Sequence, residues 1–167
     1  MLLPQTFRML LPLSALLLAE SPPPSPPPAS FYAIPIGPSI ALDVAKKVAA
    51  AAAEARKNGW FMAIAVVDPA GTLVYYEKAD NTQLGSANVA VAKARSAALY
   101  KRPTKVFQDS LAKGAENLRI LRLEGAVPLE GGLPLLVEGK LVGAIGLSGD
   151  LPEHDGQCAA AGAASLK

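Results

Sequence analysis

Twice in this chain a short apolar run is interrupted by turn-forming residues and resumes at once. Phe61 to Val67 meets Asp68-Pro69-Ala70-Gly71 and continues as Thr72 to Tyr76. Leu135-Leu136-Val137 meets Glu138-Gly139 and continues as Lys140 to Leu147. The runs are too short for helices of their own and carry β-branched or aromatic side chains, so each pair reads as two strands around a tight turn. Strands joined that closely must be antiparallel, so the sheet they enter is mixed or antiparallel. No strand passes through a Gly-rich loop into a helix. Gly143 to Gly149 lies inside and just after a strand and lacks the spacing of a dinucleotide or phosphate loop.

Helical patterns surround the hairpins. Ser39 is a candidate N-cap, Ile40, Val44 and Val48 recur at four-residue spacing, and Asn58-Gly59 supplies a stop. Ser86 to Tyr100 is a second helix, ended by Pro103. Thr104 is placed to cap a short one through Leu111, closing near Gly114. Pro152 suits the first turn of a last helix running to Leu166. The expected fold is α/β of the α+β kind: one domain over residues 36–167, a mixed or antiparallel sheet with flanking helices.

The first 35 residues read differently. Arg8 precedes an 11-residue apolar run from Met9 to Ala19. A basic start before a short apolar core is the pattern of a secretory signal over residues 1–20, and spanning a bilayer takes roughly 20 apolar residues. Residues 21–35 hold six prolines within 22–28, expected to form an extended tether that is neither helix nor sheet. The mature protein is therefore expected to be periplasmic or secreted, with no membrane span.

Composition removes whole classes of function. A net charge of +2 from 16 Lys+Arg and 14 Asp+Glu argues against a nucleic-acid binder. One cysteine, Cys158, and one histidine, His154, exclude an intramolecular disulfide, a Cys-rich metal site and a His–His motif. No nucleophile elbow or Ser-His-Asp set can be assembled, so no catalytic residue is nominated and binding is favoured over catalysis.

The densest polar stretch lies between Asn81 and Gln108, with Lys93, Arg95, Lys101, Arg102 and Lys105 and no acid among them. Lys93 and Arg95 point to opposite sides of their helix, so no continuous stripe tracks a polyanion. A pocket for one or two carboxylates fits better, the alternative being a solvated helix end whose cations complement the dipole. Gly131-Gly132 permits close approach of backbone to a ligand, or a plain turn. His154 and Cys158, four apart, share a face of the last helix. Together they could offer a metal or haem iron two ligands, too few for a closed site; the thiol reads as a core residue, and the imidazole, between Glu153 and Asp155, as a ligand or a solvated side chain.

Several of these strings resemble the GlcG/HbpS-like haem-binding family: Ala94 to Phe107, Gly131 to Leu135, Gly139 to Gly146, Pro152 to Ala159 and the Val67 to Gly71 turn. The similarity runs over about residues 39–167 in the family's motif order. It implies a profilin-like fold, assembly into homo-oligomers and, in exported members, haem binding linked to haem sensing, breakdown or oxidative stress. Asp150-Leu151 stand where family members commonly carry Gly-Thr, so the hydroxyl cap there is absent. The leading expectation is an exported homo-oligomer that binds haem. Its site would draw on Arg95, Tyr100, Lys101, Arg102, Lys105, Gly131, Gly132 and His154, with His154 (or a tyrosine such as Tyr100) on the iron. A small-carboxylate protein using the same basic segment, and a purely structural oligomeric module on a proline tether, are the alternatives.

Overall fold

The computed structural model describes residues 30–53 and 57–166. The expected leader and the proline run lie outside these residues. Helix α1 (Leu42–Ala53) leads into the first hairpin, β1 (Ala63–Val67) and β2 (Leu73–Lys78). Helices α2 (Ser86–Tyr100) and α3 (Lys105–Leu111) follow, then a 3₁₀ segment (Ala115–Arg122). The second hairpin, β3 (Gly132–Val137) and β4 (Lys140–Ser148), precedes helix α4 (Pro152–Ala164). The strands lie in the order β2-β1-β4-β3, every neighbouring pair antiparallel. Both hairpins therefore form, and they join through their inner strands.

Helices cover both faces of that sheet, and strand alternation explains the division. Ile64 and Val66 of β1, with Ile145 and Leu147 of β4, point into one core with α1 and α4. Ala63, Ala65 and Val67, with Ala144, point the opposite way, against Ala90, Ala94, Ala97 and Ala98 of α2. The second interface is built largely from methyl groups. A Cβ added at Gly146 would run into the Ala90 carbonyl and the Ala94 amide. Backbone thus lies almost on backbone, which accounts for an apolar composition so dominated by alanine.

Four expectations need correction at their edges. Ser39 does not cap α1, which begins at Leu42. The preceding residues run alongside β4 beyond the end of β1: Gly37 N–H donates to Leu141 C=O, Leu141 N–H to Pro35 C=O and Ile40 N–H to Val142 C=O, each at 2.8 Å. Pairing with the sheet outcompetes the cap. Thr104 precedes α3 but makes no side-chain cap. Its hydroxyl instead accepts the Gly132 N–H at 2.9 Å. The first strand begins at Ala63, two residues after the exposed Phe61, and α4 ends at Ala164. The Asp68 turn is as expected, with its carboxylate accepting the Ala70 and Thr72 amides at 2.9 and 2.8 Å.

Candidate functional site

The structure distributes the nominated residues over four places. Lys105, Gly131 and Gly132 belong to one. Gly132 exchanges backbone and hydroxyl hydrogen bonds with Thr104, and Leu147 N–H donates to Gly131 C=O. Gly131 has φ +123°, and a side chain there would meet Leu147 O at 2.7 Å and the Asp155 Cβ at 2.8 Å. At Gly132 it would lie 2.5 Å from the Lys93 carbonyl. The close approach that these glycines permit is to the chain's own backbone. Lys105 bridges Asp109 at 3.1 Å and Glu130 at 3.2 Å, and these hydrogen bonds raise its pKa.

Beneath those glycines lies a buried ion pair that sequence reading missed. Lys93 Nζ and Asp155 Oδ2 are 2.7 Å apart, with side chains 3% and 2% exposed. Lys93 had counted among five cations without an acid nearby in sequence. Its partner comes from 62 residues away, across the fold. Burial pushes the Asp155 carboxyl above its ordinary pKa, against the downward pull of Lys93.

His154 sits at the first turn of α4. Its Nδ1 lies 2.8 Å from Asp150 Oδ1, and its ring stacks on Trp60 at 3.8 Å with an interplanar angle of 13°. Asp150 is held below its usual carboxylate range, chiefly by the Leu151 amide and then by His154. With Nδ1 engaged, Nε2 is the nitrogen left for a ligand. Among the described residues, no cluster of His, Cys, Asp and Glu is arranged to hold a metal ion. Cys158 is core, 2% exposed, and burial raises its thiol to about 11. Arg95 stands on the outer side of α2 and donates from Nε to Gly71 C=O at 3.0 Å. A shallow depression of about 400 Å³ passes it, walled by Val91, Ala92 and Val127.

Tyr100, Lys101 and Arg102 form the fourth group, where helix α2 gives way to α3. Lys101 closes α2 in the left-handed region, φ 52°, and Pro103 bars its continuation. That turn aims both cations at the N-terminal 3₁₀ turn, Phe31–Ala33. Lys101 Nζ donates to the carbonyls of Tyr32 at 3.2 Å and Ile34 at 2.9 Å. The Arg102 guanidinium lies 5.4, 4.9 and 5.4 Å from the ring centres of Phe31, Tyr32 and Phe107, within cation–π range. Tyr100 OH donates to Glu124 C=O at 2.6 Å, and its ring meets Phe107 edge-on at 5.3 Å.

Beside this cluster opens a cleft of about 340 Å³. Val106, Phe107, Ile120 and Leu123 supply apolar walls, and Arg102 and Arg119 two guanidiniums. Tyr32 stands at its edge, and hydrogen bonding with Arg102, reinforced by its charge, lowers the phenol's pKa. Arg119, Phe107 and the Phe31-Tyr32 pair escaped sequence reading. A signal was there: aromatics make up 5% of the chain, yet two stand together just after the proline run.

Fold and cleft define a single-domain α+β protein, its antiparallel sheet enclosed by helices, with a small basic and apolar site at one helix junction. The chain belongs to the HbpS-like family: the family model described as haem degrading protein HbpS-like matches residues 40–164. It is 38% identical over 101 residues to Protein GlcG of Escherichia coli strain K12, covering 60% of this chain and 74% of that protein. The crystal structure of HbpS superimposes with a TM-score of 0.70 at 34% identity, covering 78% of this chain and 92% of that one. A structure of a PduOC:heme complex matches in fold, with TM-score 0.69 and 24% identity over 77% of this chain and 96% of that one.

Proposed function

We propose that this chain binds haem or a closely related tetrapyrrole in the cleft between the N-terminal turn, α3 and the 3₁₀ segment. The observation that carries the reading is the lining of that cleft, which sets apolar walls beside the guanidiniums of Arg102 and Arg119. A tetrapyrrole with carboxylate arms needs both, an apolar surface for its ring and cations for its acids. Bound haem supplies a redox-active iron. The chain's part is to hold the ring, neutralise the carboxylates through Arg102 and Arg119, and exclude water with Phe107, Ile120 and Leu123. The family's description supports the same reading.

The cleft's volume favours a second reading. At about 340 Å³ it stands at the low end of small-molecule pockets and suits a compact carboxylate. Titration of the protein with haemin, followed by visible absorption, separates the two. The haem reading expects a Soret change at micromolar protein, and Arg102→Ala weakens binding by about 1–3 kcal/mol with little change in melting temperature. No Soret change ends that reading. We further propose that the protein is exported, on the strength of the Arg8 to Ala19 pattern, and that it self-associates. Leu118 and Leu121, 54% and 59% exposed on the 3₁₀ segment, offer apolar surface for a second copy. Light scattering of the purified protein measures that state, and a monomer at every concentration would exclude it.

A further inference from the structure

We propose that a second binding site lies at Arg95, on the outer side of α2, and that it takes an amphipathic monocarboxylate. The carboxylate rests on the guanidinium and a compact apolar body lies beside it. This site shares no lining residue with the cleft at Arg102, so it stands whatever that cleft binds. Arg95 borders two adjoining depressions of about 400 and 460 Å³, and Gly125 is common to both. Val91, Ala92 and Val127 wall the first, whereas the acid Glu124 borders the second. An anion held by Arg95 therefore lays its apolar body in the first. No other lysine or arginine borders either depression, so a single carboxylate is matched.

The guanidinium is held in place and yet not neutralised. Its aliphatic stem passes over Gly71, where a Cβ would stand 3.6 Å from the Arg95 Cγ. Its Nε donates to Gly71 C=O at 3.0 Å, which uses one of five N–H donors and constrains the plane of the rest. Among the described residues no carboxylate pairs with it. Asp68, the acid of the adjacent turn, is taken up by the Ala70 and Thr72 amides. An oriented, unpaired guanidinium is suited to bidentate carboxylate recognition. The facing wall is fastened too. Val127 N–H donates to the Ser96 hydroxyl at 3.0 Å, and Tyr100 OH donates to Glu124 C=O at 2.6 Å. Loop 124–127 is thus tied to α2 at both ends, and the depression exists before a ligand arrives.

Titration of the full chain with octanoate, followed by calorimetry and backbone amide NMR, tests the site. Saturable shifts should centre on Gly71, Gly125 and Val127. Acetate, which lacks the apolar body, and 1-octanol, which lacks the charge, should each bind at least about tenfold more weakly. Arg95→Met should weaken octanoate roughly ten- to a hundredfold. Ala92→Glu should act alike, because it sets an internal carboxylate one turn before Arg95 on the same helix. Arg95 is exposed and Ala92 half-buried, so both variants should melt close to the wild type. Octanoate that fails to bind, or that binds Arg95→Met as tightly as the wild type, overturns the assignment. So do shifts that centre on Phe107 and Ile120 at the other cleft.

Discussion

Lys93 shows how much a single side chain can hide from its own sequence neighbourhood. Flanked by alanines in a basic stretch, it reads as one more surface cation, yet it is sealed against Asp155 at 2.7 Å. Removing one member of such a pair strands a charge in the interior. Lys93→Met should therefore cost roughly 3–5 kcal/mol, and Lys93→Met with Asp155→Leu should recover most of the loss. Urea unfolding of the two variants checks this, and equal destabilisation by both would mean that the pair's charges are not what matters. Cys158 gives a complementary expectation on the alkaline side. Its thiol, ordinarily near 9.0, is raised to about 11 in the native protein. Between those values the unfolded chain has given up a proton that the folded chain retains, so stability is full below 9.0 and declines as pH rises through the window. Denaturation midpoints on either side of 9.0 should fall less in Cys158→Ala than in the wild type. A neutral-pH thiol reagent should label the native protein only on unfolding.

At the level of elements, what could be read from the chain was whatever depends on near neighbours. The Asp68-Pro69-Ala70-Gly71 and Glu138-Gly139 turns announce their hairpins because the conformational demand and the residues that meet it are adjacent. Helix α2 begins and ends where its alanine-rich run and Pro103 say it should. Ser39 failed as a cap because β4 pairs with the backbone of its neighbours Pro35, Gly37 and Ile40, and nothing near Ser39 encodes β4. The cleft was half legible for the same reason. Arg102 stood out by local charge, but Phe31, Tyr32 and Arg119 join it only after folding. The α2–sheet contact is likewise non-local and strict. Gly146→Ala sets a methyl group into the backbone of Ala90 and Ala94. It should destabilise by at least about 1–3 kcal/mol, the usual range for overpacking, since backbone cannot turn aside like a side chain. A calorimetric melting temperature within error of the wild type would contradict that close packing.

At the scale of the whole molecule, the order of the N-terminal parts matters more than their composition. Export would leave a mature protein beginning between about Glu20 and Phe31, in the window that follows a signal's apolar core. Intact mass after expression in an exporting host measures the boundary, and recovery of all 167 residues in the cytosol would defeat the proposal. A mature chain beginning anywhere in that window retains Phe31 with Tyr32 and hence the wall they give the cleft. The two supports of the junction beside that wall are made very differently. Helix α2 is seated on the sheet through methyl groups and glycine, an interface with almost no rotamers to change. The turn opposite it is fastened by a lysine on two carbonyls and an arginine among rings. The junction is thus built like a clamp with a welded base and a bolted arm: α2, which leads into it, is set by the sheet, whereas the Phe31–Ala33 turn at the cleft's edge is bolted on by the side chains of Lys101 and Arg102.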